Sequence, residues 1–313
     1  EAAGLEKIIC VAGPTASGKT RLAVELAKKY DGEVLSCDSM QIYKGMAIGT
    51  AAPTIDEMQG VPHHMIGVID PAEDFSVGKY VELAEPVLQD ILSRGKTCIV
   101  CGGTGLYADS LLLGRSFAPC PSTGVREALE QEAEQRGIEP LLERLKSIDP
   151  EAGAKLHPSD KRRIIRALEV FLETGQTISE HNRKTKLLAP KHEAVWLGLS
   201  FENRQDLYDR IDLRVEKMLE AGLLDEIRAL LSSGVRPTAT SMQAIGYKEY
   251  VEALTGGGDL AAATALVQQR SRNYAKRQLT WLRRNEAIHW ILQPREPDHE
   301  AVFQAARAFI PFF

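Results

Sequence analysis

The eight residues GPTASGKT at positions 13–20 follow directly on the apolar run IICVA. No other stretch restricts the fold as tightly. A G-x-x-x-x-G-K-T segment needs a buried strand that turns sharply into a helix. Its glycines let backbone N–H groups close around phosphate oxygens, and the helix N-terminus adds partial positive charge. Gly13, Pro14, Thr15, Ala16, Ser17, Gly18, Lys19 and Thr20 therefore form a candidate phosphate loop. Lys19 would neutralise the terminal phosphates and the Thr20 hydroxyl would ligate Mg²⁺. ATP is the usual occupant of such a nucleotide-binding loop, but the motif leaves open whose phosphates are held.

Strand-like and helix-like segments alternate around this loop. IICVA (8–12), EVLSCDS (33–39) and TCIVCGGTG (97–105) read as buried strands, with WLGLSF (196–201) and AIHWIL (287–292) as later ones. Helical spacing fills GKTRLAVELAKKY and VGKYVELAEPVLQDILSRG, the second closed by Gly95. Such alternation predicts an α/β fold whose P-loop-containing parallel sheet core is flanked by helices. From about Pro119 to Pro190 the strand signal vanishes. Helical stretches such as VREALEQEAEQRG and PSDKRRIIRALEVFLETG follow one another there, the latter with Ser159 or Asp160 as cap and Gly175 as stop. An all-helical insertion domain over 119–190 is expected to interrupt a core of 1–118 and 191–313, which also carries the C-terminal helices.

Several function classes are excluded early. No apolar run approaches the roughly 18 residues of a membrane span. The opening residues, EAAGLEKIICVAG, lack the basic start and apolar block of a secretory signal. Five cysteines cannot all pair within the chain, and Cys98 and Cys101 should point to opposite faces of one strand, which argues against a redox or zinc pair. A cytoplasmic protein is expected, without membrane partners and monomeric. The net charge of −5 is not that of a uniformly basic nucleic-acid binder. The charge is uneven, however. RSRNYAKRQLTWLRR (270–284) holds six basic residues and no acidic one, and a smaller KRR..R cluster occupies 161–166.

The remaining candidates sit at strand ends and on helices. Asp38 closes the second strand, at the edge of a parallel sheet where ligands bind, and could hold a metal or accept a proton. Gly102, Gly103, Thr104 and Gly105 end the third strand at the same edge, as a ligand approach or a tight turn. Arg210 and Arg214, four apart in LYDRIDLRVEKM, would suit a diphosphate. Arginines so placed usually form a solvated face, with Asp206 available to pair Arg210. Tyr274 and Trp281, interleaved with the basic residues of 270–284, would suit phosphate contact and base stacking, or a core. His63–His64 lies in a Pro-flanked loop without further ligands, so no metal is assigned there.

Read together and in order, GPTASGKT, SCDSMQIYKGMAIGTAAP, PHHMIGVIDP, CGGTGLY, LEVFLETG, SMQAIGYKEY and KRQLTWLRR resemble the bacterial tRNA dimethylallyltransferases over about residues 8–292. The resemblance implies transfer of a dimethylallyl group from dimethylallyl diphosphate to N6 of an adenosine. That adenosine lies just 3′ of the anticodon in tRNAs reading codons that begin with U. The loop would then hold the donor's diphosphate with Mg²⁺. Asp38 matches the family's catalytic aspartate, Thr104 a threonine near the reacting centre and Arg214 a diphosphate-binding arginine. Implied contacts to the tRNA anticodon stem-loop are Asp38, Ser39, Met40, Gln41 and Thr104, then Arg126, Arg162, Arg163, Ile164, Ile165 and Arg166. Gln243, Ala244, Ile245, Gly246, Tyr247 and Lys248 follow, and then Lys276, Arg277, Gln278, Leu279, Thr280, Trp281, Leu282 and Arg283. Gln243 and Lys248 depart from arginines found in some members. The Cys/His zinc module of eukaryotic members is absent from these residues.

Three other readings compete. A P-loop kinase of a small metabolite would explain the loop and Asp38 but not the basic, aromatic segment. A prenyltransferase acting on free adenine nucleotides would leave the basic patches idle. A non-enzymatic RNA-binding protein would have no need of intact Lys19, Thr20 and Asp38.

Overall fold

The computed structural model describes residues 6–115, 118 and 123–312. The chain divides into two compact units, one made of Glu1–Leu113 with Lys191–Phe313, the other of Gly114–Pro190.

The first unit is built on one sheet. Its strands are β1 (Ile8–Ala12), β2 (Gly32–Ser36), β3 (His63–His64), β4 (Thr97–Gly102), β5 (Val195–Phe201) and β6 (Ile288–Gln293), in the order β3-β2-β4-β1-β5-β6. Every pairing is parallel. A sheet of this kind is covered on both faces, so its strands read as continuous apolar runs rather than alternating ones. Alternate residues of β1 serve two cores: Ile8, Cys10 and Ala12 pack on one face, Ile9 and Val11 on the other. Cys98 and Cys101 likewise fall on opposite faces as buried free thiols. β3 departs from the loop expected at His63–His64. These residues pair with Val34 and Leu35, and the Glu33 carboxylate meets His64 Nε2 at 2.8 Å.

Helices α1 (Lys19–Lys29), α2 (Ile55–Met58), α3 (Val77–Ser93) and α4 (Gly105–Leu112) fill the first half of this unit. α1 buries Leu22, Ala23, Val24, Leu26 and Ala27 on one sheet face. A full Leu burial stabilises by about 1.5–3 kcal/mol, so Leu22→Ala alone would threaten this packing. α3 packs Tyr80, Ala84, Leu88 and Ile91 on the opposite face, at helical spacing, and tolerates Pro86 on its exposed side. After Leu112 the chain leaves the sheet.

The second unit's described elements are α5 (Val125–Arg136), α6 (Glu139–Ile148), α7 (Pro150–Lys155), α8 (Lys161–Thr174) and α9 (Ile178–Lys186). The expected start of the insertion, residues 119–122, lies outside the described residues. Leu129, Leu141, Leu145, Ile164, Ile165 and Leu168 form this unit's own core. Asp160 stands at the start of α8, but its carboxylate accepts the His157 N–H at 2.9 Å and caps no helical amide.

The first unit resumes with α10 (Arg204–Glu220), α11 (Leu223–Ser232), α12 (Lys248–Gly256), α13 (Leu260–Leu282) and α14 (His299–Arg307). α14 joins α1 on one face, while α10 to α13 gather on the other with α3 and α4. No helix among the described residues is long and apolar enough to cross a membrane.

Candidate active site

β1 ends at Ala12 and α1 begins at Lys19, so residues 13–18 form the turn between them. Gly18 sits at φ 90°, in the left-handed region that glycine adopts without a Cβ clash. Ala16 holds φ 62° without that freedom, a strain of about 1–2 kcal/mol. No side chain caps α1 and its first turn carries no acidic residue, leaving the helix N-terminus free to meet an anion. The Ser17 hydroxyl is buried there with no hydrogen-bond partner among the described residues.

Distant segments hold this loop. Gln278 on α13 accepts the Thr15 N–H at 3.0 Å and donates to the Gly103 carbonyl at 3.0 Å. Gln293 of β6 donates to the Ser17 carbonyl at 2.9 Å. Arg210 Nε donates to the Ala16 carbonyl at 3.2 Å, and Arg214 Nη1 to Thr15 Oγ1 at 3.1 Å. The solvated-face expectation for this arginine pair therefore fails, and Asp206 pairs with Arg295 instead. The apolar stripe Leu207, Ile211 and Val215 seats α10 so that its arginine flank meets the loop. Lys19 Nζ donates to the Pro14 carbonyl at 2.8 Å. Lys19, Arg210 and Arg214 form no ion pair among the described residues. Burial lowers the pKa of Lys19, and burial with help from Arg210 lowers that of Arg214.

These groups open into one cavity of about 490 Å³, a size suited to a small ligand. Residues 15–20 line one side, and Arg214, Ile211, Val215 and Met218 another. Asp38 lines it two residues beyond β2. Its Oδ1 accepts the Met40 and Gln41 N–H groups at 2.8 and 3.0 Å, which leaves Oδ2 available to the cavity. Thr104 Oγ1 accepts the Ser39 N–H at 3.1 Å and so ties the β4 loop to the Asp38 turn. Close approach explains the glycines here: a Cβ on Gly103 would lie 2.3 Å from Gln278 Nε2, and one on Gly105 2.2 Å from Trp281 Cδ1. The GGTG turn is thus the seat on which α13 rests.

α13 divides its expected RNA contacts by burial. Lys276, Arg277, Thr280 and Arg283 are exposed, whereas the side chains of Gln278, Leu279 and Leu282 are buried. Gln278 is a strut inside the site. Trp281 is held in place: its indole N–H donates to Asp109 at 3.0 Å and Arg284 stands over its ring at 5.3 Å. Tyr274 instead lines the cavity, with Arg277 5.7 Å above its ring. Burial and the nearby Asp38 charge push its phenol up to about 12.

The SMQAIGYKEY segment splits in the same way. Gln243 and Lys248 are exposed, Ala244 and Ile245 line the cavity, Gly246 is buried, and Tyr247 is a core residue. In the second unit Arg162 and Arg163 are exposed, but Ile164 and Ile165 are core and offer no side-chain contact. Arg126 and Arg166 both bind the buried Glu169 carboxylate, at 2.7 and 3.1 Å. The strut Gln293 and the loop anchor Glu226 had no signal in the sequence, because each partner lies far away along the chain. Gln278 and Arg210 were candidates for other contacts, and the cavity residue Glu57 bonds locally to Thr54.

Known proteins can be set beside this geometry. The family model described as IPP transferase matches residues 41–285, and one described as isopentenyl transferase matches residues 6–67. A tRNA dimethylallyltransferase of Caldanaerobacter subterraneus subsp. tengcongensis is 46% identical over 287 residues, 91% of each chain. The crystal structure of a full-length tRNA isopentenylpyrophosphate transferase from Bacillus halodurans is 40% identical, with a TM-score of 0.72. The match covers 97% of this chain and 95% of that one. A eukaryotic dimethylallyltransferase, captured in crystallographic snapshots acting on tRNA, is 30% identical with a TM-score of 0.82, covering 97% of this chain and 77% of that one.

Proposed function

The chain belongs to the IPP transferase family, the tRNA dimethylallyltransferases, and from that premise we propose how its cavity does the work. The protein transfers the dimethylallyl group of dimethylallyl diphosphate to N6 of the adenosine 3′-adjacent to the anticodon. Its substrates are tRNAs reading codons that begin with U, and diphosphate is released. The reading is carried by one observation: Arg214 is hydrogen-bonded to Thr15 of the glycine-rich loop inside the cavity that Asp38 also lines.

The loop from Gly13 to Thr20 is a P-loop that receives the diphosphate. Lys19 and Arg214, which form no ion pair among the described residues, bind it and stabilise the charge that grows as the allylic C–O bond breaks. The orphaned Ser17 hydroxyl and the uncapped α1 N-terminus supply further donors. The residues fit a Mg²⁺ ion, because the Thr20 hydroxyl is a hard oxygen donor on the cavity wall. No cluster of three His, Cys, Asp or Glu exists among the described residues, and Mg²⁺ typically combines one or two protein oxygens with phosphates and water. Bound there, Mg²⁺ would neutralise diphosphate charge.

Asp38 faces the other half of the reaction. An adenine amino group is a weak nucleophile, since its lone pair is delocalised into the ring. Asp38 Oδ2 takes the N6 proton as the C–N bond forms, while Oδ1 stays anchored on two backbone amides. Thr104 positions this turn through Ser39. To enter, the base leaves the anticodon stack. The exposed Gln243, Lys248, Lys276, Arg277, Thr280 and Arg283 form the tRNA face of the core. On the second unit, a helical insertion, the exposed Arg162 and Arg163 are the candidate tRNA contacts. A cytoplasmic location follows from the substrate.

The test is direct. The protein is incubated with Mg²⁺, labelled dimethylallyl diphosphate and unmodified tRNA, and the RNA is digested. Label on the adenosine beside the anticodon is expected; label on AMP alone would favour the free-nucleotide prenyltransferase. Asp38→Ala should reduce turnover by roughly 10²–10⁴-fold with donor binding retained. Unchanged turnover would remove Asp38 as the base.

A further inference from the structure

One wall of the cavity, formed by Gly49, Thr50 and Ala51, lies in a stretch with neither helix nor strand. Its position is set by Glu226 on α11. Glu226 Oε2 accepts the Ile48 N–H at 2.9 Å and Oε1 the Gly49 N–H at 3.1 Å. The Tyr247 hydroxyl lies 2.5 Å from Glu226 Oε1 and 3.0 Å from the Met46 carbonyl. One phenolic proton goes to the stronger acceptor, the carboxylate. Burial first, and then the Glu226 charge, push the Tyr247 pKa up and keep it a donor. Its ring lies against Gly49, where a Cβ would come within 2.4 Å.

From this wall the hydrogen bonds lead back to the reacting side. The Thr50 and Ala51 carbonyls accept the Gln41 side-chain amide at 3.1 and 3.2 Å. The Gln41 backbone N–H in turn donates to Asp38 Oδ1. None of these bonds involves the glycine-rich loop.

We propose that Glu226 is a positioning residue for the acceptor half of the reaction. Through the 48–51 segment and Gln41 it holds Asp38 in line with the incoming amino group, while diphosphate binding is left to the glycine-rich loop and Arg214. The inference rests on reading the cavity as the prenyl-transfer site. A carboxylate is required, because it accepts from two consecutive amides at once. The amide of Glu226→Gln would present an N–H to one of them, leaving two donors face to face.

The experiment compares Glu226→Gln and Tyr247→Phe with the unsubstituted protein, by steady-state kinetics on tRNA and dimethylallyl diphosphate and by thermal unfolding. Glu226→Gln should lower kcat by about 10- to 100-fold, the cost of misplacing a reacting group. Its KM for dimethylallyl diphosphate should stay within about twofold. Tyr247→Phe keeps both amide bonds and should lose far less kcat, even where its melting temperature falls as much. A Glu226→Gln protein with normal kcat would overturn the proposal. So would kcat falling in step with melting temperature in both variants, or a loss confined to the diphosphate KM. An unsubstituted protein that prenylates no tRNA would instead strike the reading of the site itself, and the role of Glu226 with it.

Discussion

Two pairs of arginines separate the two units of this molecule. Arg210 and Arg214, on one helix of the first unit, donate to a carbonyl and a hydroxyl of the glycine-rich loop. Arg126 and Arg166, on two helices of the second, converge on the buried Glu169 carboxylate. A guanidinium that meets only neutral oxygens keeps its charge for a ligand. One that meets a buried carboxylate has its charge compensated there and ties the helices together. The electrostatics run in opposite directions: desolvation lowers Arg214, so burial there disfavours its charged form. At Glu169 burial raises the carboxyl, but the bonds from Arg126 and Arg166 outweigh it and hold it below the usual range. Residue type and spacing do not show which partner an arginine meets; the fold does.

The largest way to break this comparison is at Arg214. Arg214→Gln should reduce kcat/KM for the diphosphate donor by about 10²–10³-fold, with little loss of stability. Kinetics at varied donor concentration, read beside a melting curve, check both halves. A normal donor KM with a lowered melting temperature would make Arg214 structural.

Glu169→Gln is the converse. It should leave donor kinetics unchanged but destabilise the second unit by about 1–3 kcal/mol. That is below the cost for a fully buried pair, because the Arg126 and Arg166 side chains remain 48% and 31% exposed. A carboxyl lowered in the folded state contributes stability that is present above its unfolded value and is lost as pH falls through the folded one. Urea titrations at descending acid pH should therefore show a loss in the unsubstituted protein that is smaller in the variant.

A smaller effect is expected on the exposed face of α13. Replacing Arg277 and Arg283 with Ala should weaken tRNA binding and flatten the slope of log affinity against log salt by roughly 1–2, about one unit for each phosphate left without its cation. An unchanged slope would remove this face from RNA recognition.

The finest test concerns Lys19, whose ammonium burial holds below its ordinary 10.5. A diphosphate replaces the lost solvation and raises that value again. Binding at alkaline pH should therefore take up a fraction of a proton, read by calorimetry in two buffers of different ionisation enthalpy. Without ligand, stability should rise with pH between the lowered value and 10.5, where the unfolded chain binds more protons. No uptake, or the same uptake in Lys19→Met, would assign the proton elsewhere.

Much of the fold was legible because its signals are local. IICVA, TCIVCGG and WLGLSF are almost wholly apolar, as strands buried on both faces tend to be, and the helices between them show their own period. β3 was missed, since two histidines carry no strand signal and pair only because Val34 and Leu35 are already in place beside them. The segments expected to meet RNA were legible as blocks, but which of their side chains are exposed was not legible residue by residue. Over the last two turns of α13 and its C-cap, Arg277 and Arg283 are exposed while Gln278 and Leu282 are buried, and only the docking of that helix on the GGTG turn fixes which is which.

The division between the two sources of information is physical. By itself the sequence determined the strand–loop–helix with its free helix N-terminus, the parallel sheet that follows from alternating strands and helices, and the family to which seven ordered motifs point. Each is a property of residues close together along the chain. Only the tertiary structure decided that Gln278 braces the glycine-rich loop, that Asp206 leaves Arg210 free for it, and that Glu226 anchors the wall leading to Asp38. Those pairs lie from tens to hundreds of residues apart. Their side chains meet because parallel strands place successive crossovers at one edge of the sheet, and no spacing along the chain records which of them face each other there.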